Sequence, residues 1–400
     1  MQESFDVAEA PRRLFVSADD HVIEHPRVWT DRLSRATFGD RIPHLARDAD
    51  GGDVWVVDGR RRRLADIVDV GATLSDRSAS PVRSEEIPAL AASPAARAGA
   101  MRADGVDFSV LYPTVAGLAG ETFGRITDPE LELACVRAYN DWLIEEWAAA
   151  NPRYLPQCIV PLFPVEATVA EIRRAVGRGH RGVIFPAIPQ HLRDSAPHIN
   201  DPAYDPVWQT CQELGVPVCF HSGSSPDLEL QPYEGFSPQI SRAFKAITRP
   251  AGSSVILSNM LMSRALIKHP KLNFVFPESS LGWVMFVLEA ADYQADRVGL
   301  SKLGYDVLPS EIFRRQCFIT SWYDNASLRH CLRHIGPDNI LWSSNFPHGS
   351  SHWPASRAAI AHCFDGVSAH DTARILSGNA ARLYGIDLSV IARTAEAANA

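Results

Sequence analysis

The sequence predicts an α/β fold, a (β/α)8 TIM barrel with a segment inserted between its first and second strands. Eight short apolar runs carry that expectation first. Several are continuous β-branched or aromatic stretches, such as VDFSVLYP, NFVFPES and ILWSSNFP, which is how strands covered on both faces read. Longer amphipathic stretches lie between them, the arrangement of parallel βα units, and eight is the count that closes such a barrel. No glycine-rich dinucleotide fingerprint follows any run, which weakens the rival, an open doubly wound sheet.

In chain order the strands are expected at Leu14–Ala18, Val106–Pro113, Gln157–Phe163, Gly182–Ile188, Pro217–Gly223, Asn273–Ser279, Cys317–Trp322 and Ile340–Phe346. Helices are expected at Asp128–Ala150 and Asp201–Leu214, each opening on Asp-Pro, a cap followed by proline in the first turn. Further helices are expected at Val165–Gly179, Leu281–Val298, Asn325–Ile335 and His370–Tyr384. Two regions break the alternation. From about Arg27 to Gly99 the chain carries VWVVDGRRRRL, a hairpin turning at Asp58-Gly59, with Arg60–Arg63 as a solvated basic run. Ser224–Ser254 is rich in Ser, Pro and Gly, carries Tyr233, Phe236 and Phe244, and reads as a long loop forming a lid or pocket wall. The domain expectation is one barrel over residues 14–386, with the insertion at about 27–99, between tails at 1–13 and 387–400.

The chain has 400 residues with 39 basic and 47 acidic side chains, a net charge of −8, so no basic face for nucleic acid is expected. Its seven cysteines include no CxxC pair, which argues against a disulfide framework and for a reducing compartment. No apolar leader opens the sequence and no run of about 18 apolar residues crosses it, so the expectation is a cytoplasmic protein without a membrane partner. Neither a GxxxxGK[ST] phosphate loop nor a G-x-S-x-G nucleophile elbow is present.

Chemistry in a barrel sits at the C-terminal ends of its strands. Strand one ends in Asp19-Asp20-His21 with Glu24 beyond, strand five in His221, strand six in Glu278, and strand eight in Asn345 with Pro347-His348 following. Residues i and i+2 of an extended segment project to one side, so Asp19 and His21 can hold one ion, with His221 as a third ligand. Two imidazoles and a carboxylate suit zinc, manganese or iron. An isolated Asp-x-His is common; its placement across the barrel from His221 is what gives it meaning. Glu278 follows FVFP, and a carboxylate there needs a partner. That partner is either an arginine such as Arg297 or Arg242, or a metal beside which Glu278 acts as general acid and base. Trp283 is either barrel packing or pocket wall.

These residues carry a resemblance. SADDHVIEHPRVWTDRL, VCFHSGSS, FVFPESSLGWVMFVLEAADY, GPDNILWSSNFPHGSSHWP and ILSGNAARLYGI together resemble the amidohydrolase superfamily, in the branch of aminocarboxymuconate-semialdehyde decarboxylase. The resemblance implies a distorted (β/α)8 barrel and a single metal held by Asp19, His21, His221 and a strand-eight aspartate, where this sequence has Asn345. It also implies a catalytic role at the strand-six position, a histidine in the decarboxylase itself and Glu278 here. A carboxamide accepts no proton from water at neutral pH, so Asn345 casts doubt on the family's usual hydrolytic step and leaves Glu278 or His348 to serve as base.

The leading expectation is therefore a metal-dependent lyase that removes CO2 from a small aromatic or unsaturated carboxylic acid. One divalent ion, zinc first and manganese second, would act as Lewis acid, and Glu278 would shuttle the proton. Trp283 and Glu24 are the expected substrate contacts, with Arg or aromatic groups from Ser224–Ser254. The alternatives are a metal-dependent hydrolase of an amide, ester, lactone or C–C bond with Glu278 as base, and a metal-free barrel kept for binding. Because relatives often dimerise, a homodimer is expected, with the insertion and the aromatic loop as contact surfaces.

Overall fold

The structure is a computed structural model that describes residues 13–225, 228 and 230–388. Its strands are β1 Val16–His21, β2 His44–Arg47, β3 Asp53–Val57, β4 Arg60–Arg63, β5 Phe108–Tyr112, β6 Tyr154–Cys158, β7 Gly182–Ile184, β8 Val218–Cys219, β9 Phe274–Phe276, β10 Cys317–Ser321 and β11 Ile340–Trp342. β1 and β5 to β11 form one parallel sheet in that order. Every residue of these eight strands is buried, which accounts for the unbroken apolar runs. The sheet closes just past β11. The amide of Asn345 donates to the carbonyl of Asp19 (3.0 Å), and that of His21 donates to the carbonyl of Phe346 (2.7 Å). The seam of the barrel thus runs through the residues that the sequence marks as a site.

The insertion forms a three-stranded antiparallel sheet, β2-β3-β4. Its hairpin turns at Asp58 (φ 48°) and Gly59 (φ 77°), both in the left-handed region that a two-residue turn of matching twist requires. All four arginines of β4 are exposed, and Arg61 and Arg63 face Asp48 and Asp50 at 3.4–3.8 Å. Charge on an edge strand discourages pairing with another chain. Trp29 anchors the insertion to the barrel, its ring 5.5 Å from both Trp55 of β3 and Phe123 after β5.

Three expectations need correction. The third barrel strand lies at Tyr154–Cys158, ahead of Gln157–Phe163. Pro156 reads as a breaker, yet in a parallel pair its carbonyl still accepts from Arg181 N (2.9 Å). The helix expected over Asp128–Ala150 is α-helical only over Pro129–Trp142, capped by Asp128, and continues as a wider π-turn over Leu143–Ala148. Most of the expected Ser224–Ser254 loop is helix: Pro238–Met262 runs 25 residues behind the N-cap of Ser237. Its interior Pro250 made it look unhelical. The expected tails at 1–13 and 387–400 fall almost wholly outside the described residues. Among the described residues no helix is long and apolar enough to cross a membrane. All seven cysteines are buried thiols.

Candidate active site

The register of β1 against β5 slips between Ser17 and Asp20, and that slip sorts three adjacent polar residues. Asp20 turns to the same side as Ser17, whose hydroxyl donates to it (2.9 Å). Its carboxylate also accepts from the hydroxyls of Ser109 and Ser344 and from the amide of Phe346 (3.0 Å). Asp20 therefore ties β1 to β5 and to the chain past β11. Asp19 and His21 project the other way, with Asp19 Oδ1 3.4 Å from His21 Nε2 and 3.2 Å from His221 Nε2. All three side chains have no solvent exposure.

The hydrogen bonds fix which ring nitrogens are free. His21 Nδ1 donates to the carbonyl of Pro113 (3.2 Å), and His221 Nδ1 donates to the carbonyl of Ser222 (2.7 Å). Each ring therefore turns its Nε2 lone pair toward Asp19, the tautomer that a metal-binding histidine adopts. His21 Nε2 and Asp19 Oδ2 are buried with no hydrogen-bond partner. Burial opposes a charge on Asp19, yet the two imidazoles hold its carboxyl well below the usual carboxylate range. Burial likewise opposes a charge on His221, but Asp19 and then Glu278 pull its pKa up to about 9. Without a metal a proton thus bridges this pair. The donor set fits a divalent cation: around a tetrahedral ion with bonds of about 2.1 Å, donors stand roughly 3.4 Å apart. The three ligand atoms lie within 4.8 Å of one another.

Glu278 and Asn345 stand beside this triad in left-handed backbone, at φ 49° and 57°. Asparagine tolerates that region; glutamate rarely enters it, and such positions concentrate where a side chain must be aimed. Asn345 Nδ2 donates to Glu278 Oε1 (3.0 Å) and to Ser350 Oγ (3.3 Å). Glu278 Oε2 lies 4.0 Å from His221 Nδ1 and has no hydrogen-bond partner, nor does Asn345 Oδ1. His348 stacks on His21 (centroids 4.1 Å apart) with Nδ1 4.0 Å from Glu278 Oε1. Burial first, and then the neighbouring His21, push the His348 imidazole well down, so it is neutral. Neither arginine offered above pairs with Glu278. Arg242 donates to Ser80 Oγ (2.9 Å), and Arg297 lies over the ring of Tyr293.

The two expected substrate contacts part company. Trp283 is half-buried on the loop after Glu278, its Nε1 donating to the carbonyl of Ser279 (2.7 Å). Glu24 is buried, and its carboxylate accepts from the amides of Thr114, Val115 and Ala116 at 2.9–3.2 Å. That geometry braces the loop after β5. The sequence reading missed several supporting residues. Arg97, buried in the helix Pro94–Asp104, donates to the carbonyl of His21 (2.9 Å) and lies over the ring of Phe346 (4.2 Å). Asp324 accepts from Ser280 Oγ (2.6 Å) and Leu281 N (3.1 Å), holding the loop that carries Glu278. Tyr112 sets its ring edge against His221 (5.1 Å). Arg249 lies beside Gly223, two residues past His221, where a side chain on the glycine would meet it at 3.4 Å. Arg249 belongs to the arginines expected from Ser224–Ser254; the uncompensated charge of an arginine amid apolar residues was the available signal for Arg97.

Comparison with known proteins agrees with this picture. The family model described as amidohydrolase matches residues 68–386. A gamma-resorcylate decarboxylase of Rhizobium radiobacter is 24% identical over 307 residues, 72% of this chain and 85% of the relative. An amidohydrolase from Mycobacterium avium subsp. paratuberculosis superposes with a TM-score of 0.76 at 23% identity, over 95% of this chain and all of that one. A dihydroxybenzoic acid decarboxylase from Polaromonas sp. JS666, solved with manganese and the inhibitor 2-nitroresorcinol, gives a TM-score of 0.62 at 18% identity, over 93% and 97% of the two chains.

Proposed function

We propose, from the premise that this chain belongs to the amidohydrolase family, that it is a metal-dependent decarboxylase of a small aromatic acid. The observation that favours loss of CO2 over hydrolysis is the amide at Asn345. Its Nδ2 donates to Glu278 and Ser350, and a carboxamide offers no base to activate water. The decarboxylase relatives act on resorcylate and dihydroxybenzoate by name, which supports a hydroxylated benzoic acid as substrate.

Asp19, His21 and His221 would hold the cation, zinc or manganese, which supplies Lewis acidity to draw electron density from the substrate's carboxylate and adjoining oxygen. Asn345 fixes one oxygen of Glu278 and leaves the other open. That open oxygen is the one placed to deliver a proton. As the bond between ring and carboxylate breaks, its electron pair stays on the ring carbon, which takes the proton from Glu278, and CO2 leaves. Water then returns the proton to Glu278. His348, being neutral, adds no charge to the site and offers a hydrogen bond beside Glu278. Trp283 and Arg249 flank the reacting region and orient the acid.

The test begins with metal content per chain after purification without chelator, for the wild type and His221→Ala, followed by hydroxybenzoic acids assayed in H2 18O. The expected result is about one zinc or manganese per chain, lost in the variant, with CO2 released and no 18O in the organic product. A chain that takes up no metal from zinc or manganese solutions would overturn the reading. Cleavage that places 18O in the organic product without CO2 would make the protein a hydrolase.

A further inference from the structure

The loop after β11, residues 347–353, carries the last pieces of the site. Ser350 Oγ accepts from Asn345 Nδ2 (3.3 Å). His348 stacks on His21 and stands 4.0 Å from Glu278 Oε1. No strand or helix runs through these residues, so no regular ladder holds their backbone, and its polar groups need partners from elsewhere.

The insertion supplies them. Each nitrogen of the Arg77 guanidinium donates to a different carbonyl of the loop. Nε reaches Gly349 (3.1 Å), Nη1 reaches Trp353 (3.0 Å), and Nη2 reaches Ser351. Nearby, Ala72 N donates to the carbonyl of Pro347 (3.1 Å). Asp69 Oδ1 accepts from Gly349 N (3.0 Å) and from Gly71 N (2.9 Å). Two glycines let the segments touch. A Cβ on Gly71 would overlap the carbonyl oxygen of Arg77 and stand 2.8 Å from Gly349 Cα, and one on Gly349 would meet the same oxygen at 2.5 Å. Neither glycine has a positive φ, so close approach of two backbones is what calls for glycine here. Arg242 ties down the far end of segment 69–80, donating to the carbonyl of Ala79 (3.4 Å) and to Ser80 Oγ (2.9 Å).

We propose, resting on the decarboxylase reading above, that Arg77 is a positioning residue for the reaction. Its fork sets the course of loop 347–353, the loop places Ser350 and His348, and Ser350 holds Asn345, whose amide fixes one oxygen of Glu278. The planar guanidinium directs three carbonyls at once, which a single ammonium cannot do. Arg77 is exposed, so the clamp is open to replacement from solution.

Arg77→Ala, assayed as the full metal-loaded chain, tests this. Metal content should match wild type and KM should change little, while kcat falls about 100-fold, the scale of a small misplacement of reacting groups. Arg77→Lys should recover little of that loss, and guanidinium, far below denaturing concentrations, should restore kcat to Arg77→Ala where methylammonium does not. Adding Ser350→Ala to Arg77→Ala should cost little more than Arg77→Ala alone, because the two act along one line. Hydrogen exchange of peptide 347–353 needs no substrate and separates failure of the clamp from failure of the decarboxylase reading. Exchange should quicken in Arg77→Ala and slow again with guanidinium. If the wild type releases no CO2, quickened exchange still upholds the clamp. Unchanged exchange overturns the proposal. So does wild-type kcat per folded molecule in Arg77→Ala, full activity in Arg77→Lys, or losses that simply multiply in the double variant.

Discussion

Two buried carboxylates of this protein live under opposite rules. Glu171, between the helices Pro129–Trp142 and Val165–Arg178, has every oxygen engaged. It accepts from Arg137 Nε (3.1 Å), from Arg174 Nε and Nη2 (both 2.8 Å) and from Asn140 Nδ2 (2.8 Å). Asn140 in turn exchanges two hydrogen bonds with the backbone of Ile159. At the barrel mouth, Asp19 Oδ2, His21 Nε2, Glu278 Oε2 and Asn345 Oδ1 are as deeply buried and have no partner. Leaving one such group unmatched costs about 1–3 kcal/mol. Four unmatched groups converging on one point mark a place where a ligand completes the structure, while saturation marks scaffold.

On the proposed function, that contrast predicts a mouth expendable for folding and indispensable for chemistry. Asp19→Asn is the sharpest way to break it. The amide keeps the shape and can donate to a facing imidazole, so metal-free stability should stay within about 1 kcal/mol of wild type. Metal should be absent by mass spectrometry and CO2 release should fall at least about 1,000-fold, roughly 4 kcal/mol of barrier. A variant that unfolds would place Asp19 with the scaffold. Glu278→Gln comes next. With the proton carrier gone, kcat should drop about 10²- to 10⁴-fold while metal content and unfolding midpoint hold. Loss of metal in this variant would instead make Glu278 a ligand.

Glu171→Ala probes the other side. Removing the acid leaves Arg137 and Arg174 around a void, but Arg137 is 47% and Arg174 27% exposed, so solvent screens the freed cations and the cost is about 1–3 kcal/mol, below that of a fully buried pair. Urea unfolding should show that loss, while metal content and kcat per folded molecule remain near wild type. If activity falls in step with stability, the two regions are coupled and the division fails.

The same division explains what could be read beforehand. Barrel strands announce themselves because burial on both faces leaves only apolar and β-branched residues, and the eight runs were found near their true places. Asp19, His21 and His221 were legible because strand period and strand ends dictate where their side chains go. The slip in β1 was not legible, and neither was the part Asp20 plays in tying β1 to the seam. Glu24 has the chemistry of a substrate contact, and only the fold shows three amides converging on it. Pro250 hid a helix. Local pattern reports what a residue is able to do; whether its hydrogen-bonding capacity is already spent is a tertiary fact.

His180 offers the finest test, because it sits in the saturated region with one atom left over. Nε2 donates to the carbonyl of Asn140 (3.0 Å), whereas Nδ1 is buried without a partner. Burial holds its pKa down to about 4, against an ordinary value of 6.5, despite the opposing pull of the Asn140 carbonyl and Glu171. The folded state therefore keeps the ring neutral. Its full stability is present above pH 6.5 and is lost as pH falls toward 4, because the unfolded chain takes up a proton that the fold refuses. That difference amounts to about 3 kcal/mol. His180→Gln retains a donor for Asn140 and cannot titrate, so the stability gap between wild type and variant should shift in the variant's favour by about that amount between roughly pH 7.5 and 4. Equal slopes for the two proteins would mean that water reaches Nδ1, and the saturated region would then be less sealed than the mouth.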